Sequence, residues 1–116
     1  METRVFQQSE IKEAAALIKK GELVSFPTET VYGLGADAMN DQAVKNVYQA
    51  KGRPSDNPLI VHVASIGEVY DYVKNVPKVA ETLMEHFWPG PLTLIFEVKE
   101  GVFADTVTAG LNSVAI

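Results

Sequence analysis

Hydrophobic residues follow two alternating patterns along this chain, helical spacing and short continuous runs. Helical spacing predicts helices over residues 9–20, which open on a serine suited to the N-cap, and over residues 41–50. Ser65 begins a capping-box signature for a third helix, and Pro77 suits the start of a fourth. Continuous apolar runs predict strands over residues 23–26, 59–63, 92–98 and 113–116.

Helices that alternate with strands indicate a layered α+β (mixed α/β) fold, in which helices pack on a twisted, mixed β-sheet. The length of 116 residues suits one domain, and the sequence contains no linker or internal repeat. The last predicted strand ends the chain without a polar terminus. We therefore expect residues 1–116 to form the N-terminal portion of a single domain whose C-terminal part is absent from this chain.

Composition and charge exclude several classes of function. With 47% hydrophobic and 22% charged residues, the chain is expected to form a packed core. The absence of cysteine excludes disulfides, thiolate metal sites and a cysteine nucleophile. The net charge of -5 makes sequence-independent nucleic-acid binding improbable. No apolar run is long enough for a membrane span and no signal-peptide pattern is present, so we expect a cytoplasmic protein without a membrane partner.

The segment 27–35 is the first candidate for chemistry. It offers the hydroxyls of Thr28 and Thr30, a carboxylate, a phenol and two glycines directly after a predicted strand, which suits a small polar ligand. The alternative is an ordinary connection in which both threonines bond to the backbone. The segment matches neither a dinucleotide fingerprint nor a phosphate-binding P-loop.

The second candidate is the cationic segment 51–58. Lys51 and Arg53 flank a glycine at the end of a predicted helix, and prolines at positions 54 and 58 stiffen the backbone beyond it. Such a turn can hold a polyphosphate, with the arginine fork on two oxygens and the lysine as a point charge. The alternative is simple helix capping by cations. Asn57 suits either a turn or a ligand contact.

The two histidines give a weaker signal. His62 lies within a predicted apolar strand, where a satisfied structural role is the commoner one, and as a functional residue it would face a cleft. His86 suits a solvated helix surface, and Trp88 suits a buried anchor of the next turn. No two histidines have metal-ligand spacing, so we expect no protein-built metal site, although phosphates could carry a magnesium ion.

Three segments in register, residues 26–35, 51–62 and 88–93, together resemble the YrdC-like family of threonylcarbamoyl-AMP synthases. The resemblance implies an enzyme that combines L-threonine, bicarbonate or CO2, and ATP into threonylcarbamoyl-AMP and pyrophosphate. Other proteins would then pass the group to tRNA. Mg2+ would be carried by the ATP phosphates.

The resemblance also assigns roles to residues. Lys51 and Arg53 match the Lys-x-Arg motif that neutralises the ATP phosphates, and they are the expected catalytic residues. The expected ATP contacts are Lys51, Arg53, Asn57 and Ser113, and the expected threonine contacts are Thr30 and His62. Because a carbamate formed on threonine would attack the α-phosphate directly, no covalent nucleophile is needed.

The family continues through a threonine-binding arginine and a Ser-x-Asn motif that these 116 residues lack, so we expect weak or no activity from this chain alone. Two other functions stay open. One is a binding module for double-stranded RNA or tRNA without catalysis. The other is a carbamoyl-adenylate-forming domain that uses carbamoyl phosphate.

Overall fold

The computed structural model describes residues 3–54 and 56–116, and within these ranges it contains five α-helices and four strands. A short 3-10 turn, Gln8–Glu10, precedes the first helix. The helices are α1 (Ile11–Lys19), α2 (Asp41–Lys51), α3 (Ile66–Tyr72), α4 (Lys78–Phe87) and α5 (Asp105–Thr108). The strands are β1 (Val24–Phe26), β2 (Gly33–Gly35), β3 (Ile95–Glu97) and β4 (Ser113–Ala115). None of the helices in the described ranges is long and apolar enough to cross a membrane.

The strands form two small antiparallel sheets. β1 pairs with β2, and β3 pairs with β4 in the register Phe96 to Val114. A parallel bridge from Ile60 to Ala115 adds the segment before α3 to the second sheet. An antiparallel bridge joins Val73 to Val98 on its other side. The mixed character that the sequence predicted therefore rests on single bridges around an antiparallel pair.

The predicted strand over residues 59–63 was wrong in extent. Its N–H groups bond to two different elements, since Leu59 donates to the Val107 carbonyl of α5 and Val61 donates to the Ala115 carbonyl of β4, both at 2.9 Å. A segment whose hydrogen bonds diverge in this way cannot continue along one neighbour. Only Ile60 pairs with a strand, through its bridge to Ala115, and the Ile60 side chain is 54% exposed.

The first helix also begins differently from the prediction. Ser9 lies inside the 3-10 turn, and Glu10 occupies the N-cap of α1 without a capping side-chain bond. The backbone N–H of Gln7 instead donates to the Glu10 carboxylate at 2.8 Å. No residue of α1 is buried, and Ile11 on its apolar face is 67% exposed. The apolar face predicted for this helix is therefore present but only partly covered, since Ala14 and Ile18 are half-buried.

The predicted loop over residues 27–35 is a hairpin whose far end is β2. The ring of Phe26 lies across β2, so that a Cβ added to Gly35 would stand 2.6 Å from its Cε1 atom. At Gly33 the same ring would be 3.4 Å away. Glycine is therefore required at position 35 by close approach, not by turn geometry.

The hydrophobic core lies between helices α2 to α5 and the sheet formed by β3 and β4. The fully buried side chains with the largest volumes are Met84, Val69 and Val107, from α4, α3 and α5. The rest of the core cluster comes from the same half of the chain together with α2. Among residues 3–42 none is buried, so α1 and the hairpin pack at the periphery.

The turn between α4 and β3 agrees with its prediction. The indole N–H of Trp88 donates to the Leu92 carbonyl at 2.8 Å, and the ring packs half-buried against the core. His86 is exposed on α4, as predicted, with its Nδ1 atom 2.8 Å from the Thr82 carbonyl. Ser65 occupies the N-cap of α3 but makes no capping bond. Its hydroxyl lies 3.5 Å from the Glu68 carboxylate instead.

A polar cluster fastens α5 to the start of α2. The Thr106 hydroxyl donates to Asp41 at 2.9 Å, and the Lys45 ammonium lies 2.9 Å from the same carboxylate. These contacts, the Lys45 hydrogen bond foremost, hold the pKa of Asp41 below its ordinary value of 3.8. Since α5 is only four residues long, this link contributes to its position.

The lowered pKa of Asp41 predicts a pH dependence of stability. A carboxyl whose pKa is lower in the folded protein contributes stability above the unfolded value of 3.8 and loses it as pH falls further. We expect Asp41→Asn to lower the unfolding midpoint temperature at neutral pH and to lose most of that difference well below pH 3.8. Thermal unfolding monitored by circular dichroism across pH measures this, with Asp71→Asn, at an exposed position of α3, as the control. A constant difference across pH would contradict it.

Candidate functional site

The cationic segment begins where α2 ends. Gly52 adopts a left-handed conformation with φ of 62°, which ends the helix at Lys51 and turns the chain. The N–H groups of Gly52 and Arg53 donate to the Gln49 and Tyr48 carbonyls at 3.3 and 3.0 Å. The predicted end of this helix at the glycine is confirmed. The cation of Lys51 therefore sits at the last helical position, exposed to solvent.

Arg53 lies half-buried at the beginning of this turn. Its Nη2 atom donates to the Pro58 carbonyl at 3.1 Å, which ties the guanidinium to the far end of the same segment. Asn57 closes the turn through its N–H, which donates to the Pro54 carbonyl at 3.3 Å. A guanidinium has five N–H donors, so one bond to the chain leaves it the capacity to bind an anion in a fixed orientation.

The buried side chain of Tyr48 bonds to the far end of this turn. It is 4% exposed, and its hydroxyl lies 2.5 Å from the Asn57 carbonyl and 2.9 Å from the Thr106 carbonyl. Burial raises the pKa of the Tyr48 hydroxyl above its ordinary value of 10.0, so the group remains a hydrogen-bond donor at neutral pH. The helical spacing of Tyr48 with Val44 and Val47 places it on the apolar face of α2, and this pattern gives no sign of the polar role. Its bonding partner Thr106 stands 58 residues away along the chain.

The hairpin carries the two threonines of the first candidate segment. The Thr28 hydroxyl donates to the Val31 carbonyl and accepts from the Thr30 N–H at 3.3 Å. The two threonine hydroxyls lie 3.4 Å apart. Thr28 thus has the structural role that the alternative interpretation described, since it folds the tip of the hairpin. Thr30 is exposed, and its backbone is held in place by Thr28.

His62 lies beside this hairpin. Its ring meets the edge of the Phe26 ring, with centroids 6.0 Å apart and planes at 78°. The imidazole is exposed, which argues against the interpretation of His62 as a satisfied buried histidine, and the expected threonine contact stays a prediction. The chain turns away from β4 after Val61, which releases His62 from the sheet. The Phe26 contact places His62 next to the hairpin that bears Thr30.

Ser113 is the first residue of β4 and is half-buried. The bridge between Ile60 and Ala115 sets the register of this neighbourhood. Ser113 stands two residues before Ala115 in β4, and this bridge is the link that the structure shows between β4 and the segment after the cationic turn. Most of the predicted residues therefore fall into two groups, Thr30 with His62 at the hairpin, and Lys51, Arg53 and Asn57 on the turn, whereas Ser113 stands apart at the start of β4.

Two surface cavities lie apart from both groups. One, of about 240 Å³, is lined by residues of the β3–α5 and α5–β4 connections, among them Lys99, Phe103 and Asn112. The other, of about 220 Å³, lies between Pro77 and β3. Neither is lined by any of the predicted site residues. In the described ranges, no three His, Asp or Glu side chains are grouped so that they could hold a metal ion.

Comparison with known proteins identifies the family. The profile of the Sua5/YciO/YrdC family, described as telomere recombination, matches residues 16–116. The threonylcarbamoyl-AMP synthase of Bacillus subtilis is 58% identical over 107 residues, which are 92% of this chain and 31% of the relative. That of Pyrococcus abyssi is 50% identical over 110 residues, 95% of this chain and 32% of the relative.

A solved structure agrees with these relatives. Sua5 of P. abyssi complexed with L-threonine superposes with a TM-score of 0.88 at 49% identity, and the match covers 97% of this chain and 33% of that one. The predicted α+β fold class is confirmed by this likeness. The chain belongs to the Sua5/YciO/YrdC family, as its motifs predicted. It spans about a third of the length of the curated relatives that it matches.

Proposed function

We propose that this chain forms the ATP- and threonine-binding part of an L-threonylcarbamoyladenylate synthase. The observation that carries the proposal is the turn after α2, in which the Arg53 guanidinium is tied to the Pro58 carbonyl and the exposed Lys51 stands at the last helical position beside it. Its support from relatives is the 58% identity to a threonylcarbamoyl-AMP synthase. The turn suits a polyphosphate because Arg53 is oriented by its bond to Pro58 before any ligand arrives.

In the proposed reaction, the amine of L-threonine attacks CO2, forms a C–N bond and loses a proton, which gives a carbamate. A carbamate oxygen then attacks the α-phosphorus of ATP. The bond from that phosphorus to the bridging oxygen breaks, and pyrophosphate leaves. Lys51 and Arg53 would stabilise the negative charge that develops on the phosphates. Mg2+ would be carried by the phosphates and would neutralise part of their charge.

The other expected residues take roles around these two cations. Asn57 would contact the nucleotide, since it lies within the segment that the Arg53–Pro58 bond closes, and Ser113 would contact it from the start of β4. Thr30 and His62 would hold L-threonine, because the Phe26 contact keeps the imidazole beside the hairpin. Downstream partners would be tRNA or tRNA-modifying proteins that accept the threonylcarbamoyl group.

The experiment uses this chain and a chimera. Residues 9–116 would replace the corresponding segment of the B. subtilis relative, and both proteins would be tested for pyrophosphate release from ATP. We expect the chimera to release pyrophosphate only when threonine and bicarbonate are both present, and the 116-residue chain to bind ATP but turn over slowly or not at all. Replacement of threonine by carbamoyl phosphate tests the carbamoyl-adenylate alternative.

Two outcomes would contradict the proposal. The first is a folded chimera that releases pyrophosphate with carbamoyl phosphate but not with threonine. The second is a chain that fails to bind ATP yet binds double-stranded RNA with an affinity that falls steeply with salt, as phosphate-driven binding does. Robust turnover by the 116-residue chain alone would contradict only the expectation of weak activity.

A further inference from the structure

We propose that Tyr48 is the positioning residue of the cationic turn: its hydroxyl fastens the far end of the turn and so presents Arg53 to the polyphosphate of ATP. This inference rests on the proposed function and deepens it. It starts from a buried polar group that the reaction chemistry does not use. Tyr48 is 4% exposed, and its ring belongs to the core cluster.

Tyr48 holds both ends of the turn by different atoms. Its backbone carbonyl accepts the N–H of Arg53 at 3.0 Å, where the turn begins. Its hydroxyl lies 2.5 Å from the carbonyl of Asn57, where the turn closes. Within the described residues no backbone N–H donates to that carbonyl, so the hydroxyl is its hydrogen-bond partner. Loss of the hydroxyl would free the far end of the turn and leave the near end in place.

The Tyr48 hydroxyl also contacts Thr106 of α5, and Thr106 is in turn bonded to α2. The same hydroxyl lies 2.9 Å from the carbonyl of Thr106, and the Thr106 side chain donates to Asp41 at the start of α2. One residue of α5 therefore contacts α2 near both of its ends. A tyrosine hydroxyl has a single proton, so it donates to one carbonyl at a time. The Asn57 carbonyl is the nearer of the two, at 2.5 Å against 2.9 Å.

Arg53 is the residue that this arrangement serves. Its guanidinium donates to the carbonyl of Pro58, the residue directly after Asn57. The position of the Pro58 carbonyl depends on the bond that Tyr48 makes one residue earlier. If the far end of the turn moved, the guanidinium would lose its fixed orientation, and the cost of ordering it would fall on ligand binding.

The test compares Tyr48→Phe with Tyr72→Phe in the 116-residue chain. The Tyr72 ring packs on Phe103 with centroids 5.1 Å apart, and its hydroxyl makes no hydrogen bond within the described ranges, so it controls for the same chemical change. Titration calorimetry would give the Kd for MgATP and for AMP, which lacks the β- and γ-phosphates. We expect Tyr48→Phe to raise the Kd for ATP about 3- to 10-fold, as loss of one hydrogen bond does, and to leave the Kd for AMP unchanged.

A second measurement follows the turn itself. Hydrogen–deuterium exchange should become faster in Tyr48→Phe at the amide of Asn57 and stay unchanged at the amide of Arg53, and Tyr72→Phe should match the wild type. Equal ATP affinity of Tyr48→Phe and wild type would overturn the inference and leave the proposed function standing. An equal loss of ATP and AMP affinity would show a merely structural role and would also overturn it. A wild-type chain that binds no ATP would overturn the proposed function, and the inference with it.

Discussion

Arg53→Ala is expected to raise the Kd for MgATP about 10- to 100-fold, the effect of removing charge-assisted hydrogen bonds to a phosphate. Two losses combine in this variant. The guanidinium fork disappears, and so does the 3.1 Å bond that ties it to the Pro58 carbonyl. Arg53→Lys restores a positive charge but not the fork, so its affinity should lie between those of Arg53→Ala and the wild type.

The matched control is Arg4→Ala, which changes the only other arginine of the chain. Arg4 is an exposed residue that lies 3.8 Å from the Glu13 carboxylate, and an exposed ion pair of this kind contributes little to stability. Titration calorimetry on the three variants measures the effect. Equal ATP affinity of Arg53→Ala and Arg4→Ala would remove Arg53 from the nucleotide site.

Met84→Ala is expected to lower the free energy of unfolding by about 2 to 5 kcal/mol. Met84 is 0% exposed on α4 and is among the largest fully buried side chains of the core. Its removal loses apolar burial and leaves a cavity that neighbouring side chains fill only in part. Small domains have a free energy of unfolding of about 5 to 15 kcal/mol, so this variant should lose a large share of its stability.

Urea denaturation followed by circular dichroism measures this change. Met39→Ala serves as the control, since Met39 is 54% exposed and the same atoms are removed there at the surface. We expect its stability to stay within about 0.5 kcal/mol of the wild type. Similar midpoints for the two variants would contradict the placement of α4 at the centre of the core.

Much of the fold could be predicted from local signals. The end of α2 follows from Gly52 and the proline after it, and the start of the fourth helix follows from Pro77. Strand extents were predicted less well. The run around Val61 is apolar enough for a strand, but its hydrogen bonds go to α5 and β4, and no local pattern shows partners that lie so far along the chain.

The candidate site could be predicted in the same uneven way. Lys51 and Arg53 stand out because their charges are close in sequence and flanked by residues that fix the backbone. Tyr48 did not stand out, because its spacing already fits the apolar face of α2. Its polar role depends on Thr106, which is brought near only by the packed structure. For His62 the apolar run favoured burial, whereas the structure exposes it directly after Val61, which bonds to β4.

The boundary of burial near residue 43 divides the molecule into parts of unequal local stability. The hairpin with Thr30 lies on the side where no residue from 3 to 42 is buried, while the turn with Arg53 is fastened to the core through Tyr48. Segments with few buried contacts open more often than the core does. The part of the proposed site that would bind threonine would therefore fluctuate more than the part that would bind the nucleotide. A product that contacts both the hairpin and the turn would therefore be released when the hairpin opens.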